Sequence, residues 1–343
     1  MPPPPHEPAL IVGAGPIGLA CAISARHRGI DPLVIDAGAI ANSIVKYPVG
    51  MTFFTTPERL EIGGHPLSCA GQKATREEAL KYYRGVARTE ALRIRPYTRL
   101  KAAERRDGRI HCQLEGGQGS QALTTDKLVL ATGYFDHPNW LGVPGEDLPH
   151  VSHYADEPHV VSGLDVVIVG GKNSAVEAAL LYFRAGARVT LVYRRPELKP
   201  SVKYWLRPDL ENRIKAGEIA ARFGAEVTEI TPSQVAIRND GGGMERIPAD
   251  RVFALTGYHP DFALFEAMGI RLAPETKRPD LNPGTLETNV PGIFMAGSVG
   301  AGRNIGEVFI ENGRYDGEKI FGDLDSRAVA ERLYAEGSRP QGE

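Results

Sequence analysis

The chain is poor in cysteine, and the cysteines it has are far apart. Among 343 residues only Cys21, Cys69 and Cys112 carry a thiol, and no Cys-x-x-Cys pair occurs. An odd number of cysteines at wide spacing argues against a disulfide framework and against a zinc site. We therefore expect no bound metal, and free thiols in a reducing cytoplasm. The usual redox dithiol of a protein relay is also excluded.

The chain also lacks a strong net charge and long apolar runs. Its 40 Lys and Arg residues against 42 Asp and Glu residues give a net charge of −2, so no basic surface for nucleic acid is indicated. No apolar run approaches the roughly 18–20 residues that cross a bilayer. The proline-rich residues 1–8 predict a short unstructured lead and not a signal peptide. We expect a soluble protein of two domains, with no nucleic acid or membrane partner.

A glycine-rich turn lies near the start of the chain. The apolar run Ala9–Val12 predicts a buried strand, and a helix over Gly18–Arg28 and a strand over Pro32–Ile35 follow the turn. Strand, turn, helix, strand and acid in this order are typical of a dinucleotide-binding unit, with phosphates at the helix N-terminus and ribose at the acid. The positions expected to contact this first nucleotide are Gly13, Gly15, Pro16, Ile17, Gly18, Asp36 and Ala37.

A second turn of the same kind follows about 160 residues later. It joins a predicted strand at Val166–Val169 to a helix at about Ser174–Ala185, and the next strand is Val189–Tyr193. Twenty-three residues after the first glycine stands Tyr193, where the first unit has Asp36, and two arginines follow it. The positions expected to contact the second nucleotide are Gly170, Gly171, Lys172, Asn173, Ser174, Arg194, Arg195 and Gly257.

The two arginines predict NADPH and not NADH at the second turn. A carboxylate repels a 2′-phosphate, whereas the planar fork of arginine matches it. The alternative is that Arg194 and Arg195 are an ordinary solvated pair. Two interpretations also stay open for Lys172, which either pairs with the pyrophosphate or is an exposed residue. Asn173 or Ser174 is expected to cap the helix.

Two turns of this type in one chain indicate a flavin dinucleotide and a nicotinamide dinucleotide, which predicts FAD at the first turn and NADPH at the second. The order of the signals predicts an α/β fold with two Rossmann-like domains, one inserted in the other. The predicted FAD domain comprises residues 1–155 and 260–343, and the NADPH domain residues 156–259.

Further positions are expected to complete the FAD site. The segment Thr52–Thr55 is either a wall of the flavin pocket or ordinary core. A final helix over Gly306–Phe321, beginning near Asn304–Glu307, is expected to direct its positive end at the flavin pyrimidine. The additional positions expected to contact FAD are Thr52, Phe53, Thr55, Thr132, Gly133, Gly297 and Ser298.

These blocks give the chain a resemblance to the low-molecular-weight thioredoxin reductase superfamily along nearly its full length. The likeness implies hydride transfer from NADPH to FAD in a homodimer or a higher homo-oligomer. Two departures matter. The stretch before the second turn, residues 153–159, has no dithiol, and Ser298 stands where the superfamily has an aspartate that holds the ribityl chain. Reduction of thioredoxin by the usual route is therefore not expected.

A further set of motifs consists of Asn42-Ser43-Ile44, Tyr47-Pro48, Met51-Thr52-Phe53-Phe54-Thr55, Gly133-Tyr134-Phe135-Asp136-His137-Pro138-Asn139, Gly142-Val143-Pro144-Gly145-Glu146-Asp147-Leu148-Pro149, Gly170-Gly171-Lys172-Asn173-Ser174, Thr256-Gly257-Tyr258-His259-Pro260-Asp261 and Glu311-Asn312-Gly313-Arg314. These motifs give the chain a longer and more specific resemblance to the YpdA family of bacillithiol disulfide reductases. The resemblance implies NADPH-dependent reduction of the disulfide of a small thiol.

One departure concerns the reactive cysteine that the family is proposed to carry in its first glycine turn. Ile17 occupies that position here and cannot form a mixed disulfide. Cys21 follows one helical turn later, on the same helix face. It is either a substitute catalytic thiol or a small buried residue. Without a thiol relay, the flavin must act directly on its acceptor.

Two other functions remain open at this stage. The first is a ferredoxin or flavodoxin–NADP reductase, which shares this fold without the dithiol and passes single electrons to a small redox protein. The second is a flavoprotein without catalytic turnover whose redox state controls a partner. The acceptor is accordingly expected to be a small-molecule disulfide or a small redox protein.

Overall fold

The computed structural model describes residues 4–117 and 119–337, and these form two compact units. The first unit contains the described residues up to Val45, residues 55–137 and the chain from His259 onward. The second contains Lys46–Phe54 and Pro138–Tyr258. The chain thus leaves the first unit twice, briefly at Lys46–Phe54 and for a long segment at Pro138–Tyr258, and returns to it each time.

Strands make up the centre of both units. In chain order they are β1 (His6–Val12), β2 (Leu33–Ile35), β3 (Arg93–Arg95), β4 (Thr98–Arg106), β5 (Arg109–Gly116), β6 (Gly119–Leu130), β7 (Val151–Ser152), β8 (Asp165–Val169), β9 (Arg188–Tyr193), β10 (Ala220–Phe223), β11 (Ala225–Ile230), β12 (Gln234–Asn239), β13 (Met244–Pro248), β14 (Arg251–Ala254) and β15 (Ile293–Met295).

Helices connect and cover the strands. The α-helices are α1 (Pro16–Arg26), α2 (Asn42–Val45), α3 (Arg76–Thr89), α4 (Asn173–Arg184), α5 (Arg207–Lys215), α6 (Phe262–Ala267), α7 (Ile310–Gly313), α8 (Asp316–Phe321) and α9 (Leu324–Gly337). Short 3-10 turns occupy Pro57–Arg59, Pro158–Val161 and Gly297–Ala301.

The sheet of the first unit is organised around β6. Its strand order is β3-β2-β1-β6-β5-β4, and β15 also pairs with β6. The first part of β6 pairs antiparallel with β5, whereas its end, Leu128–Leu130, lies parallel to β1 and to β15. Leu128, Val129 and Leu130 are completely buried, because helices and loops cover both faces of a parallel sheet.

Helix α3 of the first unit begins with a well-defined cap. The Thr75 hydroxyl accepts a hydrogen bond from the Glu78 backbone, and the Glu78 carboxylate accepts one from the Thr75 N–H, so α3 opens with a capping box. Thr75 is therefore the cap residue of α3. α1 packs against α8, where a Cβ on Gly317 would stand 2.8 Å from the Cys21 Cα.

The second unit contains two sheets. A parallel sheet has the order β10-β9-β8-β14-β7, and α4 packs on it. An antiparallel sheet has the order β11-β12-β13. Val167 and Val252 of the parallel sheet share a buried apolar cluster with Ile237 and Ile247 of the antiparallel one. The second βαβ unit expected from the sequence is therefore formed by β8, α4 and β9.

The limits of the units differ from the predicted domains at two segments. Residues 138–155 belong to the second unit, because β7 pairs with β14 and Pro138 bridges to Tyr258. Lys46–Phe54 also belongs to it. These associations depend on partners more than 100 residues away, which local sequence patterns do not reveal. That the first unit carries FAD and the second NADPH stays a prediction at this point.

The start of the chain is more ordered than the predicted unstructured lead. Residues 1–3 lie outside the described residues, but β1 already begins at His6. His6 is paired with Thr124 of β6, and its Nδ1 lies 3.1 Å from the Thr124 hydroxyl. Because its first residues pair with β6, β1 begins three residues before the predicted strand Ala9–Val12.

The position of Leu128 predicts a large loss of stability on truncation. Leu128→Ala should lower the free energy of unfolding by about 2–5 kcal/mol, because a buried leucine leaves a cavity when it is shortened. Leu324→Ala is the matched control, since Leu324 is 80% exposed, and should change it by less than about 0.5 kcal/mol. Urea denaturation of both variants measures the difference, and equal losses would contradict the assignment of β6 to the core.

Candidate nucleotide-binding sites

The first glycine turn is built by close backbone approaches. Gly13 has φ +114°, and a Cβ there would lie 2.2 Å from the Ala131 oxygen. A Cβ on Gly18 would lie 1.8 Å from the Gly13 oxygen. Gly15 differs, because a Cβ there meets no atom within 4 Å. The absence of a Cβ at Gly13 and Gly18 therefore lets the backbone pack closely, whereas Gly15 borders open space in front of the helix.

The start of α1 is available to an anion. Gly15 is the residue before the helix, Pro16 occupies its first position, and no side chain caps it. The first N–H groups of a helix have no partner within the helix and carry partial positive charge. Together with the open space at Gly15, this arrangement fits a dinucleotide pyrophosphate.

Asp36 stands at the end of β2 beside this turn, as the sequence predicts. Its carboxylate is buried and accepts hydrogen bonds from the backbone N–H of Ala14, at 2.7 Å, and of Gly38, at 2.8 Å. Asp36 thus holds the turn in shape. Since each carboxylate oxygen can accept more than one bond, it can also receive ribose hydroxyls.

A cavity of about 380 Å³ lies next to Asp36, and we call it the Asp36 cavity. Its wall combines predicted positions with residues that the sequence analysis missed. The predicted ones are Gly13, Asp36, Ala37, Thr132 and Gly133, and the missed ones include Leu100, His137, Asp261 and Leu264. The missed residues come from strand and helix ends that only the fold brings together, and no local motif marks Leu100 or Leu264.

Two predicted cofactor residues have buried oxygens without a protein partner. The hydroxyl oxygens of Thr55 and Thr132 are enclosed and make no hydrogen bond within the described part of the chain. Buried polar groups in native proteins are nearly always satisfied. Both threonines belong to the first unit. The unsatisfied hydroxyls therefore fit a bound ligand that offers hydrogen-bonding groups there.

Gly297 lies close to the first glycine turn, although it is in the C-terminal part of the sequence. It follows β15, has φ +77°, and a Cβ there would lie 3.1 Å from the Ile17 side chain. Its N–H donates to the buried Asp316 carboxylate at 2.7 Å. Ser298 is the next residue and is half-buried. The structure therefore brings the predicted Gly297-Ser298 pair and the predicted Ile17 to the same place.

The predicted final helix is wrong in its start and its continuity. No helix begins at Asn304–Glu307; the chain instead forms the short α7 and then α8 and α9. The Asn312 side chain is buried, accepts from the Phe309 N–H and donates to the Glu307 carbonyl. These bonds fix the preceding loop, so helix formation starts only at Ile310. The expected helix end facing the flavin pyrimidine is not present at Asn304–Glu307.

The second glycine turn repeats the construction of the first. Gly170 has φ +145°, and a Cβ there would lie 2.5 Å from the Leu255 oxygen. A Cβ on Gly171 would lie 2.3 Å from the Tyr193 ring. Tyr193, which occupies the position of Asp36 in the first unit, therefore packs over the turn. Gly257 has φ +97° just beyond β14, and its carbonyl accepts from the Asn139 N–H at 2.8 Å.

Four cations surround the second turn. Partial burial lowers the pKa of Lys172, and the positive charges of Lys199, Arg194 and Arg195 lower it further. None of the four side chains forms an ion pair with any residue in 4–117 or 119–337. Like charges that repel one another without a protein counter-ion favour an anionic ligand. This arrangement fits the phosphates of a nucleotide, including a 2′-phosphate.

The predicted cap of α4 is wrong. Lys172 is the residue before the helix, and no side chain caps it. Asn173 turns its side chain to a neighbouring loop instead: its amide donates to the Ser201 carbonyl at 3.3 Å, and its oxygen accepts from the Lys203 N–H at 2.7 Å. The open helix start is left for a ligand. Ser174 is half-buried in the first turn of α4.

Thr52 and Phe53 belong to the second unit and are not among the residues that line the Asp36 cavity. The Thr52 carbonyl accepts from the Lys203 ammonium at 3.0 Å, and Lys203 is 3.3 Å from Glu177 of α4. Phe53 is buried and its ring centroid is 6.3 Å from that of Tyr47. Contact of Thr52 and Phe53 with FAD stays a prediction.

The structure gives no support for Cys21 as a reactive thiol. Cys21 is completely buried in α1, and burial raises its pKa well above the usual value, with Asp316 and Glu318 adding to the effect. Burial also raises the pKa of Cys112 to about 12. Cys69 is partly exposed and its Sγ lies 3.0 Å from the Gly71 carbonyl. A thiolate is the reactive form, and burial disfavours it at Cys21 and Cys112.

Neither a candidate metal site nor a membrane-spanning helix occurs in the described part of the chain. No group of three or more His, Cys, Asp or Glu side chains suited to a metal ion occurs within 4–117 and 119–337. Within the same ranges, no helix combines the length and the hydropathy needed to span a bilayer.

Comparison with known proteins assigns relatives to this architecture. Residues 10–297 match the family model described as pyridine nucleotide-disulphide oxidoreductase. The chain is 43% identical to the bacilliredoxin reductase Bdr of Bacillus subtilis, over 94% of this chain and 98% of that protein. The solved bacillithiol disulfide reductase Bdr (YpdA) from Bacillus cereus has a TM-score of 0.90 and 41% identity, with 95% and 99% of the two chains covered.

More distant proteins match as well. A ferredoxin–NADP reductase of Ignicoccus hospitalis is 28% identical over 85% of this chain and 89% of that protein. The thioredoxin reductase of T. acidophilum has a TM-score of 0.73 at 20% identity, covering 96% and 98% of the two chains, and this likeness shows the fold alone. The fold is therefore thioredoxin reductase-like. Its family uses FAD and NADPH, and the two turns described above fit these nucleotides.

The open space at Gly15 predicts a variant that folds but does not retain FAD. Gly15→Ala adds a methyl group that meets no protein atom, at φ −75°, so the melting temperature of the apoprotein should not change. The same methyl group would occupy the space assigned to the pyrophosphate. Gly85→Ala, on an exposed part of α3 and also free of contacts, is the matched control. The flavin-to-protein absorbance ratio after gel filtration should fall only for Gly15→Ala; equal ratios would contradict the assignment.

The cation cluster predicts selectivity for NADPH. Arg194→Gln and Arg195→Gln should each raise the KM for NADPH roughly tenfold or more, because a charge-assisted hydrogen bond to phosphate is lost. The KM for NADH should hardly change. Arg246→Gln, an exposed arginine on β13, is the control. Steady-state measurements of flavin reduction with each nucleotide give the ratio of the two KM values. Equal effects of the substitutions on the KM for NADPH and the KM for NADH would contradict the assignment of the 2′-phosphate to these arginines.

Proposed function

Because this chain belongs to the pyridine nucleotide-disulphide oxidoreductase family, we propose that it is an NADPH-dependent flavoprotein that reduces the disulfide of the small thiol bacillithiol. The observation that carries the proposal is the 43% identity to a bacilliredoxin reductase over 94% of the chain. The disulfide is either the free molecule or one presented by a bacilliredoxin, in keeping with the names of the two relatives.

The chemistry balances as a two-electron reduction. NADPH gives up a hydride, and the disulfide bond accepts two electrons and two protons to become two thiols, one proton coming from solvent. When bound, FAD supplies the redox centre that accepts the hydride and passes the electrons on. The chain itself supplies binding and orientation. Gly13, Gly15 and Asp36 would hold FAD, and Arg194 and Arg195 would hold the 2′-phosphate of NADPH.

The remaining predicted contacts complete this assignment. Gly297 and Ser298 would meet the ribityl chain, where serine offers a hydroxyl without charge. The buried Thr55 and Thr132 hydroxyls would each gain a hydrogen-bond partner. Thr52 and Phe53 are proposed as further contacts, although they belong to the second unit. Lys172, Asn173, Ser174 and Gly257 are proposed contacts of NADPH.

Electrons would reach the disulfide without a protein thiol. Position 17, where the YpdA pattern has cysteine, is isoleucine, and the Ile17 side chain lies against Gly297. The thiols of Cys21 and Cys112 are buried, with raised pKa values. The substrate disulfide would therefore have to be held close to the flavin itself. No mixed disulfide with the protein is expected.

Anaerobic turnover tests this proposal directly. FAD-loaded protein is mixed with NADPH and bacillithiol disulfide as the only acceptor, and NADPH absorbance and free thiols are followed together. Sustained consumption with two thiols formed for each NADPH is expected. Glutathione disulfide is the matched acceptor control, since it is also a small-thiol disulfide. Consumption that stops after one equivalent per flavin would rule out the proposed activity.

If turnover with bacillithiol disulfide stops in this way, tests with other acceptors would distinguish the two remaining functions. Rapid reduction of a ferredoxin or flavodoxin, with a semiquinone visible during titration, would identify a ferredoxin–NADP reductase. Turnover far below the usual enzymatic range of roughly 1–1,000 per second with every acceptor would identify a redox sensor.

The burial of Cys21 predicts that it is dispensable. Cys21→Ala should keep at least about half of the wild-type kcat with bacillithiol disulfide, because the thiol is inaccessible and disfavoured as a thiolate. Cys69→Ala, at the partly exposed thiol, is the companion variant. A loss of more than about 100-fold in Cys21→Ala, with flavin content and melting temperature unchanged, would establish Cys21 as the replacement thiol.

We also propose that the protein works in the cytoplasm as a homodimer or a higher homo-oligomer. The support is the resemblance to the thioredoxin reductase superfamily and the presence of three free thiols. Light scattering coupled to gel filtration tests the assembly, and a monomer at micromolar concentration would contradict it.

A further inference from the structure

A second cavity, of about 310 Å³, lies in the first unit between β15, the 3-10 turn Gly297–Ala301 and the last helices. We call it the Asp316 cavity. It shares no wall residue with the Asp36 cavity, but its wall includes Gly297, which the sequence predicts to contact FAD. Its volume is at the lower end of the roughly 300–1,000 Å³ of small-molecule sites. Apolar wall residues are Leu281, Met295 and Val308; polar ones are Asp316, Lys319 and Tyr334.

Lys319 is the unusual member of this wall. The residue is only 8% exposed, and its ammonium lies 4.9 Å from the centroid of the Tyr334 ring. In the parts of the chain that the structure describes, no carboxylate lies within 4.0 Å of that ammonium. A buried charge is costly unless a counter-charge or hydrogen bonds satisfy it. The ring provides a cation–π contact but no acceptor for the ammonium protons.

The other charges of the cavity do not neutralise Lys319. Arg278 and Glu307 are hydrogen-bonded to each other. Asp316 is buried, and burial raises its pKa to about 7, against the opposing effects of the Gly297 N–H bond and of Lys319. Near neutral pH, a large share of the molecules therefore have an uncharged Asp316. The cavity then has apolar walls and one unmatched positive charge.

We propose that the Asp316 cavity is a small-molecule site, distinct from the Asp36 cavity, and that it takes a monocarboxylate with an apolar body. The carboxylate would pair with the Lys319 ammonium beside Tyr334, and the apolar body would lie against Leu281, Met295 and Val308. A single ammonium on a flexible stem suits one carboxylate, whereas phosphate groups are generally held by several cations or by arginine forks.

Hexanoate is a suitable probe, and 1-hexanol is the matched neutral control. FAD-loaded protein is titrated with each, and binding is followed by saturation-transfer NMR on the probe together with flavin fluorescence. Saturable binding of hexanoate is expected, with binding of hexanol weaker by roughly tenfold or more. Flavin fluorescence should not change, since the probe does not enter the FAD site. Release of flavin by hexanoate would show that the cavity belongs to the FAD site and would overturn the proposal.

Substitution of Lys319 tests the pairing. Lys319→Met removes the charge but keeps the length of the stem, and it should weaken hexanoate binding roughly tenfold or more. Lys81→Met, at an exposed lysine of α3, is the matched control and should bind as the wild type does. Leu281→Phe, which fills the apolar side, gives a second variant that should also lose binding. Unchanged binding in both Lys319→Met and Leu281→Phe would overturn the proposal.

The titration of Asp316 gives an independent signature. Asp316 is faced by Lys319 of α8, Tyr334 of α9, Cys21 of α1 and the Gly297 N–H. Because its pKa is about 7, raising the pH from 6 to 8 ionises it, and the new negative charge both pairs with Lys319 and repels the ligand. Hexanoate, ionised throughout this range, should bind several-fold more weakly at the higher pH.

Asp316→Asn is the control for this pH effect, since asparagine still offers an oxygen to the Gly297 N–H but does not ionise. Hexanoate binding to this variant should not depend on pH across the same range. A pH dependence equal to that of the wild type would assign the effect to another group. Absence of saturable hexanoate binding to the wild type at either pH would overturn the proposal altogether.

Discussion

The alignment of three strand ends in the first unit is the constraint on which its site depends. Val12 of β1 and Met295 of β15 are both paired in register with Leu130 of β6. The Ala131 N–H donates to the Val12 carbonyl and the Ala296 N–H to the Leu130 carbonyl, so the register holds beyond the strands. Since ligands of open parallel sheets bind at the carboxyl ends of strands, this register brings turns from three distant parts of the chain to one edge.

In the second unit the register of the strands also brings a glycine turn to the sheet edge, but the charges beside that turn are different. Val169 is aligned with Val192 of β9 and with Ala254 of β14, so the second turn lies beside the arginines that follow β9. In the first unit the equivalent residue is Asp36, whose carboxylate holds the adjacent glycine turn in shape through hydrogen bonds. In the second, Tyr193 packs on the turn and the charges are positive. One backbone design is thus repeated with opposite charges after the second strand, which fits the two different nucleotides proposed above.

Burial of the thiols shapes the chemistry that the fold can perform. Desolvation disfavours the thiolate of Cys21 and of Cys112, and no cysteine occupies the first turn. A disulfide reductase built on this chain would have to use its flavin as the only redox centre in contact with substrate. The protein contribution would then lie in binding and positioning the cofactors and the substrate.

Local sequence was enough to predict two strand–turn–helix units, the acid after one and the arginines after the other, and the missing dithiol. These depend on backbone geometry and on neighbours within a few residues, which local spacing encodes. It was the fold that made Asn173 bind the loop at Ser201, delayed α-helix formation after β15 until Ile310, and brought Asp316 to Gly297. Each of these depends on a polar side chain finding its partner, and that partner is selected by packing and register rather than by spacing along the chain.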